Sequence, residues 1–170
     1  MRLELSKSII RRWETSDAAS LVKYANDYDI WKNLRDGFPH PYTLSNAEFF
    51  LQEVAPISEY SFAVEVNGEA IGGIGGKPQE YIHSHCIEIG YWLGQEFRGR
   101  GIMSEVIAAF SDALLNDGKF VRLFALPFAN NPASHSTLEK AGFHLEGITR
   151  KSAVKEGIVL DQYVYVKLSF

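Results

Sequence analysis

Sulfur and long apolar runs are scarce in this sequence. It contains one cysteine, Cys86, and two methionines among 170 residues. A single cysteine excludes an intramolecular disulfide and a thiolate metal cluster. No apolar run approaches the roughly 20 residues that span a membrane, and residues 1–15 lack the apolar stretch of a signal peptide. We therefore expect a cytoplasmic protein that has no membrane partner.

Positive charge is not in excess either. Lys and Arg total 17 against 21 Asp and Glu, which gives a formal net charge of -4. Nucleic-acid-binding domains are usually basic, so neither DNA nor RNA is expected as a partner. The sequence is instead rich in apolar residues, at 46%, and in aromatic residues, at 13%. This length and composition predict one globular domain over residues 1–170.

The hydrophobic pattern predicts an α+β order of elements. Strands are expected at 2–12, on both sides of an Asn67-Gly68 hairpin turn, and at 86–93, 121–126, 143–149 and 158–168. Helices are expected at 17–27 with Thr15 and Ser16 as caps, from Ser45 to about Val54, after Gly101, and at 131–141. The apolar run at 86–93 indicates burial on both faces of that strand. The glycines at 72–76 lie in a strand pattern, which indicates close strand packing or a bulge.

The most informative segment is a glycine-containing turn between a predicted strand and a predicted helix. Its sequence, over residues 98–104, is Arg-Gly-Arg-Gly-Ile-Met-Ser. Backbone N–H groups at such a turn, with the partial positive charge of the helix start, form an anion site that suits a pyrophosphate. Arg98 and Arg100 add positive charge. The alternative is a tight surface turn with two solvated arginines.

Four segments of this chain resemble the GNAT superfamily of N-acetyltransferases, and in particular its RimJ/RimL-like branch. The GNAT cofactor signature is Arg or Gln, two residues, Gly, one residue, then Gly or Ala. It falls on Arg98, Gly101 and Met103, where Met103 replaces the small residue. The other three segments are EIGYWLG, NPASHSTLEKAGF at 131–143 and NLRDGFPHPYT at 33–43.

The resemblance implies a fold and a cosubstrate. The fold is a mixed, mainly antiparallel sheet of seven strands, splayed at its centre and flanked by helices. The cosubstrate is acetyl-CoA, with its pantetheine arm along strand 86–93 and its pyrophosphate on the 98–104 turn, and no metal is required. The residues expected to bind it are Trp92, Leu93, Arg98, Gly99, Arg100, Gly101, Ile102, Met103, Ser104 and Asn131.

The resemblance also implies direct attack of an amine on the thioester in a ternary complex. Ser134, at the Asn-x-x-Ser position of the family motif, is the candidate group near the leaving thiolate, and helix capping is its alternative role. Glu88 is the candidate general base, with a structural ion pair or substrate orientation as its alternatives. Backbone N–H groups at 92–94 are expected to polarise the thioester carbonyl.

One departure from the branch affects the base. RimL-like α-acetylases carry a catalytic acid on the penultimate strand, and the matching residue in this chain is Ala153. Proton removal then falls to Glu88, Asp161 or water. A weakly defined base favours an N-terminal α-amine over a lysine, because an α-amine has the lower pKa.

The acceptor is expected to meet the aromatic segment 28–43. The side chains predicted to line its site are Trp31, Arg35, Phe38 and Tyr42, and ordinary packing is the alternative for these rings. The predicted function is transfer of acetyl to the α-amine of a protein or peptide. Acetylation of a small-molecule amine and a non-catalytic acetyl-CoA sensor are the alternatives. A homodimer is expected because dimers are common among similar proteins.

Overall fold

The described part of the chain forms eight strands and five α-helices. In the computed structural model, which describes residues 1–169, the strands are β1 (Leu3–Glu4), β2 (Ile9–Arg11), β3 (Ser61–Val66), β4 (Glu69–Pro78), β5 (Cys86–Leu93), β6 (Arg122–Ala125), β7 (His144–Lys155) and β8 (Ile158–Leu168). The helices are α1 (Ala18–Ala25), α2 (Tyr28–Trp31), α3 (Leu44–Phe49), α4 (Ile102–Asn116) and α5 (Pro132–Lys140). None of the helices in residues 1–169 has the length and apolarity to cross a membrane.

The eight strands form one sheet in the order β1-β2-β3-β4-β5-β6-β8-β7. β5 and β6 pair in parallel, whereas β1–β2, β2–β3, β3–β4, β6–β8 and β7–β8 pair antiparallel. The predicted α+β class and mainly antiparallel sheet are confirmed. The strand count is eight rather than seven, because the predicted strand at 2–12 divides around a turn in which the Leu5 N–H donates to the Ser8 carbonyl at 2.9 Å.

The described residues form two compact units, each with its own core. The first contains Met1–Gly75 and Tyr91–Val106. Its largest fully buried side chains are Phe62, Ile10, Leu21, Ile71 and Val64. The second contains Gly76–Gly90 and the described residues from Ile107 onwards. Its largest are Tyr165, Phe110, Phe120, Ile107, Ile87, Leu123 and Leu138. The single domain predicted for residues 1–170 stays a prediction.

The helix caps differ from the predicted ones. Thr15 is not a cap, because a 3₁₀ turn at Thr15–Asp17 precedes α1. The Asp17 carboxylate closes that turn by accepting the Glu14 N–H at 2.9 Å and both terminal nitrogens of Arg11 at 2.8 Å. Ser16 likewise lies within the turn rather than before it.

The second predicted helix also begins earlier than expected. Its cap is Thr43 rather than Ser45, since the Thr43 hydroxyl accepts the Asn46 N–H at 3.2 Å. After α3 the helix continues as one π-helical turn at Phe50–Val54, so its end agrees with the prediction. α2 was not predicted; it begins where Asp27 accepts the Asp29 N–H at 2.7 Å.

Two hairpins determine the antiparallel parts of the sheet. The β3–β4 hairpin turns at Asn67 and Gly68, whose φ values of 52° and 82° confirm the predicted tight turn. The β7–β8 hairpin turns at Glu156 and Gly157, with φ values of 50° and 75°. β7 therefore continues to Lys155, beyond the predicted end at 149, because this turn keeps the two strands paired.

Candidate functional site

The glycine turn, residues 98–104, lies in the first unit and leads into α4. Gly99 and Gly101 have φ values of 73° and 74°, which glycine adopts without strain. α4 begins at Ile102 as predicted, and N–H groups in the first turn of a helix have no acceptor inside that helix. The residues Ile102 and Met103 are only 5% and 6% exposed. Their side chains cannot hydrogen-bond an anion, so their backbone N–H groups are the part suited to bind one.

The two arginines of the turn have different surroundings. Arg98 Nε donates to the Leu93 carbonyl at 3.2 Å, and its guanidinium lies 3.6 Å from the Asp27 carboxylate. Arg100 is exposed, with its guanidinium carbon 5.6 Å from the centre of the Phe97 ring. Arg98 thus links the turn to the end of β5 by a hydrogen bond and forms an ion pair with Asp27. Arg100 instead carries positive charge at the surface.

Two further polar groups complete the turn. The Ser104 hydroxyl donates to the Gly101 carbonyl at 3.0 Å, so this predicted cofactor residue closes the backbone turn. Lys7 Nζ donates to the Arg100 carbonyl at 2.8 Å. Sequence analysis missed Lys7, since it lies 93 residues from its partner and no local pattern connects the two positions.

The end of β5 packs against β4 without space for side chains between them. A Cβ placed on Gly73 would lie 2.7 Å from Trp92 Nε1, which confirms the close packing predicted for the glycine run. Leu93 is buried, at 9% exposure. The Gly94 N–H donates to the Ile71 carbonyl at 2.8 Å and is committed to the sheet. The other N–H groups predicted to polarise the thioester, those of Trp92 and Leu93, stay predictions.

The two faces of β5 differ, so the prediction of burial on both faces is wrong. On the face of Glu88, burial decreases along the strand: Cys86 is 6% exposed, Glu88 is half-buried and Gly90 is exposed. Glu88 stands opposite Phe124 in the parallel pairing with β6. Because this face opens at Gly90, the Glu88 carboxylate stays within reach of solvent. On the opposite face, Ile87, Ile89 and Leu93 are buried and Tyr91 is half-buried.

The start of α5, in the second unit, holds the other predicted cofactor and catalytic residues. Asn131 is the helix cap, since its side-chain oxygen accepts the Ser134 N–H at 3.3 Å. The capping role considered for Ser134 is therefore wrong; Ser134 is the third residue of the helix, after Pro132 and Ala133. Ser134 is half-buried at this position.

An aromatic stack fixes the same helix end. His135 Nε2 lies 3.0 Å from the Phe128 carbonyl, and its ring stacks on Tyr163 at 4.5 Å with an interplanar angle of 14°. This carbonyl can only accept, so Nε2 carries the proton in that hydrogen bond. Tyr163 is on β8, 28 residues beyond His135, and no spacing in the sequence relates the two rings.

Asp161 belongs to the β7–β8 hairpin. Its carboxylate accepts the Lys151 N–H at 2.7 Å and a guanidinium N–H of Arg150 at 2.8 Å. These hydrogen bonds, that of Lys151 first, lower the pKa of Asp161 below its usual range. A carboxylate stabilised in its ionised form is a poor proton acceptor. Ala153, which pairs with Leu160, offers no ionisable group at its position.

The aromatic segment 28–43 lies in the first unit and has an exposed part and a buried part. Trp31 is half-buried and stacks on His40 at 5.5 Å, and Arg35 is exposed. Phe38 is half-buried, with its ring 6.0 Å from Trp92 and 5.2 Å from Tyr42. Tyr42 is only 4% exposed, and burial raises the pKa of its hydroxyl to about 12. Tyr42 therefore packs in the core, and its predicted substrate contact stays a prediction.

The predicted site residues fall into one group in each unit. The first unit contains the glycine turn, the end of β5 and the aromatic segment; the second contains Glu88, Asn131 and Ser134. Within residues 1–169, no three His, Cys, Asp or Glu side chains form a group that would hold a metal ion. Both groups carry hydrogen-bonding chemistry, and the turn adds an anion site.

The acetyltransferase (GNAT) domain family matches residues 7–144 of the chain. Probable N-acetyltransferase YjcK of Bacillus subtilis is 38% identical over 81 residues, which cover 48% of this chain and 45% of YjcK. The ribosomal-protein-serine acetyltransferase of Escherichia coli is 28% identical over a stretch with the same two coverages. The matched segment thus spans less than half of either relative.

Two similarities extend over nearly the whole chain. L-amino acid N-acetyltransferase AaaT of Escherichia coli is 21% identical over 96% of this chain and 99% of its own. The solved structure of RimL, a ribosomal L7/L12 alpha-N-protein acetyltransferase in complex with coenzyme A, has a TM-score of 0.87 at 20% identity and covers 99% of this chain and 98% of that one. The fold expected from the RimJ/RimL-like resemblance is therefore confirmed.

Proposed function

Because the chain belongs to the GNAT acetyltransferase domain family, whose members transfer acetyl from acetyl-CoA to an amine, we propose that its acceptor is the N-terminal α-amine of a protein or peptide. The observation that supports the proposal is that few of the candidate bases are able to accept a proton. Asp161 is held ionised by Arg150 and the Lys151 N–H, and Ala153 cannot take up a proton. Glu88 and water remain as the bases for the reaction.

The acceptor that suits such a site is one that loses its proton easily. An α-amine, with pKa about 7.7–8.0, is roughly one-tenth to one-sixth neutral at pH 7. A lysine, with pKa about 10.4, is only about 0.04% neutral, and this difference corresponds to about 3 kcal/mol. The similarity to RimL, titled an alpha-N-protein acetyltransferase, supports the same class of acceptor.

The reaction is a direct displacement at the thioester. The neutral amine nitrogen attacks the carbonyl carbon, a C–N bond forms, and the C–S bond breaks. The nitrogen loses one proton and the departing thiolate gains one, so the products are an N-acetyl amide and CoA. No covalent acetyl-enzyme is required, which agrees with the burial of Cys86 in β5 at 6% exposure.

Each candidate residue has one role in this scheme. Glu88 accepts the amine proton, directly or through water, from the face of β5 that opens at Gly90. The Ser134 hydroxyl donates to the leaving thiolate. The N–H groups of Trp92 and Leu93 stabilise the developing oxyanion.

The remaining candidates bind the two substrates. The glycine turn binds the pyrophosphate of acetyl-CoA through its backbone. Asn131 binds the pantetheine arm through its side-chain amide, whose oxygen also caps α5. Trp31, Arg35 and Phe38 contact the acceptor from the aromatic segment.

A small-molecule amine is the second candidate acceptor. It is favoured by the similarity to AaaT, which extends over 96% of this chain and is named for acetylation of L-amino acids. A free amino acid forms the same amide at its α-amine, and its adjacent carboxylate raises the pKa of that amine above that of a peptide N-terminus. The two candidates therefore differ in the length of the acceptor rather than in the bond that forms.

An acceptor panel tests the proposal by thiol release from acetyl-CoA. One peptide has a free N-terminus and no lysine, and its matched control has the same sequence with a blocked N-terminus and one lysine. Free amino acids, polyamines and aminoglycosides complete the panel. Release with the free N-terminus alone is expected. Release with free amino acids alone supports the second candidate, and release only with lysine or polyamines contradicts the α-amine proposal.

The homodimer, the cytoplasmic location and the lack of a nucleic-acid partner remain predictions. Sedimentation of the purified protein at several concentrations gives the oligomeric state directly. The electrophoretic mobility of a labelled DNA duplex, with and without the protein, shows whether the protein binds nucleic acid.

A further inference from the structure

A third cation lies at the glycine turn and comes from a distant part of the first unit. Lys7 Nζ donates to the Arg100 carbonyl at 2.8 Å, and a Cβ placed on Gly101 would lie 3.1 Å from the same nitrogen. The ammonium is therefore in van der Waals contact with the second glycine of the turn. Gly101 leaves the space that Lys7 occupies.

The turn between β1 and β2 holds Lys7 in this place. The Ser6 N–H donates to the Glu105 carboxylate at 3.0 Å. The pKa of Glu105 is lowered, first by a hydrogen bond from the Ser6 side chain and then by the Ser6 backbone N–H and by the charge and backbone N–H of Lys7. Glu105 lies in the first turn of α4, the same turn that supplies the anion site. An ionised Glu105 thus ties the backbone on one side of Lys7 to the helix start, and the lysine is positioned before any ligand binds.

Lys7 keeps more of its hydrogen-bonding capacity than Arg98 does, although its charge also acts on the Glu105 carboxylate. An ammonium has three N–H donors, and the Arg100 carbonyl accepts one of them without neutralising the charge. Arg98 instead shares its charge with Asp27 and donates to the Leu93 carbonyl. Two lysine donors therefore remain at the glycine turn after the hydrogen bond to Arg100 is made.

We infer that Lys7 is a pyrophosphate-binding residue of the acetyl-CoA site. The inference rests on the proposed function, in which the glycine turn takes the pyrophosphate. A pyrophosphate at the start of α4 meets backbone N–H groups and the helix dipole, and an adjacent ammonium adds charge-assisted hydrogen bonds. The β1–β2 turn thereby becomes part of the cofactor site, although it is distant from the site in sequence.

Calorimetric titration with CoA and with 3′-dephospho-CoA tests this role. The variants are Lys7→Gln, the charge-retaining Lys7→Arg, and Lys77→Gln, which removes one charge from an exposed lysine at the end of β4. Lys7→Gln should weaken binding of both ligands by about fivefold to tenfold. Lys7→Arg should lose less than about twofold, and Lys77→Gln should bind like the unchanged protein.

The outcomes separate this inference from the proposed function. If the unchanged protein binds neither ligand, the proposed function fails. If it binds and Lys7→Gln binds equally well, only the role of Lys7 fails. If Lys7→Gln binds CoA more weakly than the unchanged protein but binds 3′-dephospho-CoA equally well, Lys7 contacts the 3′-phosphate. That result overturns the pyrophosphate contact.

Two measurements exclude a structural effect. The ligand-free melting temperature of Lys7→Gln should equal that of the unchanged protein, because the backbone N–H of Ser6 holds the β1–β2 turn. The binding deficit should shrink at about 0.5 M salt, where exposed charges are screened. A lower melting temperature with a salt-independent deficit contradicts the inference.

Discussion

The glycine turn and the aromatic segment lie in the same unit but are built differently. The turn presents backbone N–H groups, and its shape depends on the positive φ values of Gly99 and Gly101. The aromatic segment presents side chains, from the exposed Arg35 to the fully packed Tyr42. The turn is assigned to the cofactor and the segment to the acceptor.

The difference explains why the cofactor is easier to identify than the acceptor. A backbone anion site needs glycines at fixed positions, so its chemistry is visible in a short stretch of sequence. A site built from side chains depends on which rings are exposed after packing. Trp31 and Tyr42 belong to one aromatic run, yet one is half-buried and the other is in the core.

Substitution of Gly101 should have the largest effect, because it acts on the backbone of the turn. Gly101→Val places a β-branched residue at a φ of 74° and brings its Cβ within 3.1 Å of Lys7 Nζ, which is tighter than most Cβ contacts. Strain of this kind costs about 1–3 kcal/mol, and the turn must also change shape. We expect CoA affinity, measured by calorimetry, to fall by about 100-fold.

Gly37→Ala is the matched control from the aromatic segment. A Cβ at Gly37 meets no atom within 4 Å. CoA affinity should therefore stay within about twofold of the unchanged value, as is usual for surface substitutions. Equal losses for the two glycine variants would remove the distinction between a backbone site and a side-chain site.

Substitution of Glu88 should separate catalysis from cofactor binding. Glu88→Gln keeps the size of the side chain but removes its basicity, so kcat at pH 7 should fall by about 30-fold while CoA affinity is unchanged. The deficit should narrow toward about pH 9, because a free α-amine is then largely neutral without help. Rates and calorimetry across this pH range provide the measurement.

If Glu88→Gln raises the acceptor KM and leaves kcat unchanged, Glu88 has an orienting role. That result would place Glu88 with the side chains of the acceptor site. A loss of CoA affinity would place it with the cofactor instead.

Substitution in the exposed part of the aromatic segment should have a smaller effect, confined to the acceptor. Trp31→Ala removes a ring that stacks on His40 and should raise the acceptor KM by about fivefold. CoA affinity should not change, since the glycine turn is untouched. Steady-state kinetics with the best peptide of the panel would show this, and an unchanged KM would assign Trp31 to packing alone.

Local patterns predicted the parts of the molecule that depend on local backbone geometry. The Asn67-Gly68 turn, the bounds of β5 and the start of α4 at Ile102 all follow from residue type and spacing within one element. The family resemblance supplied the fold and the cosubstrate. The assignment of residues to catalysis rests on that resemblance as well.

The parts that sequence analysis missed depend on contacts between distant segments. Lys7 reaches the glycine turn across 93 residues, and the Glu105–Ser6 hydrogen bond spans 99. The division of residues 2–12 into β1 and β2 arises from the turn at Leu5 and Ser8, inside an otherwise strand-like run. Hydrophobic periodicity carries no information about such contacts, because it reports only which face of one element is buried.

Substitution of Tyr42 should have the smallest effect, and it tests whether this ring of the aromatic segment serves only for packing. Burial raises the pKa of its hydroxyl to about 12, so the folded state holds this proton more tightly than the unfolded state does. The associated stability is present below about pH 10, the ordinary tyrosine pKa, and is lost as the pH rises toward about 12. Tyr42→Phe keeps the ring and removes this titration. Denaturant unfolding should therefore show a shallower alkaline loss of stability for the variant, whereas the acceptor KM should match that of the unchanged protein. A raised KM would return Tyr42 to the acceptor site.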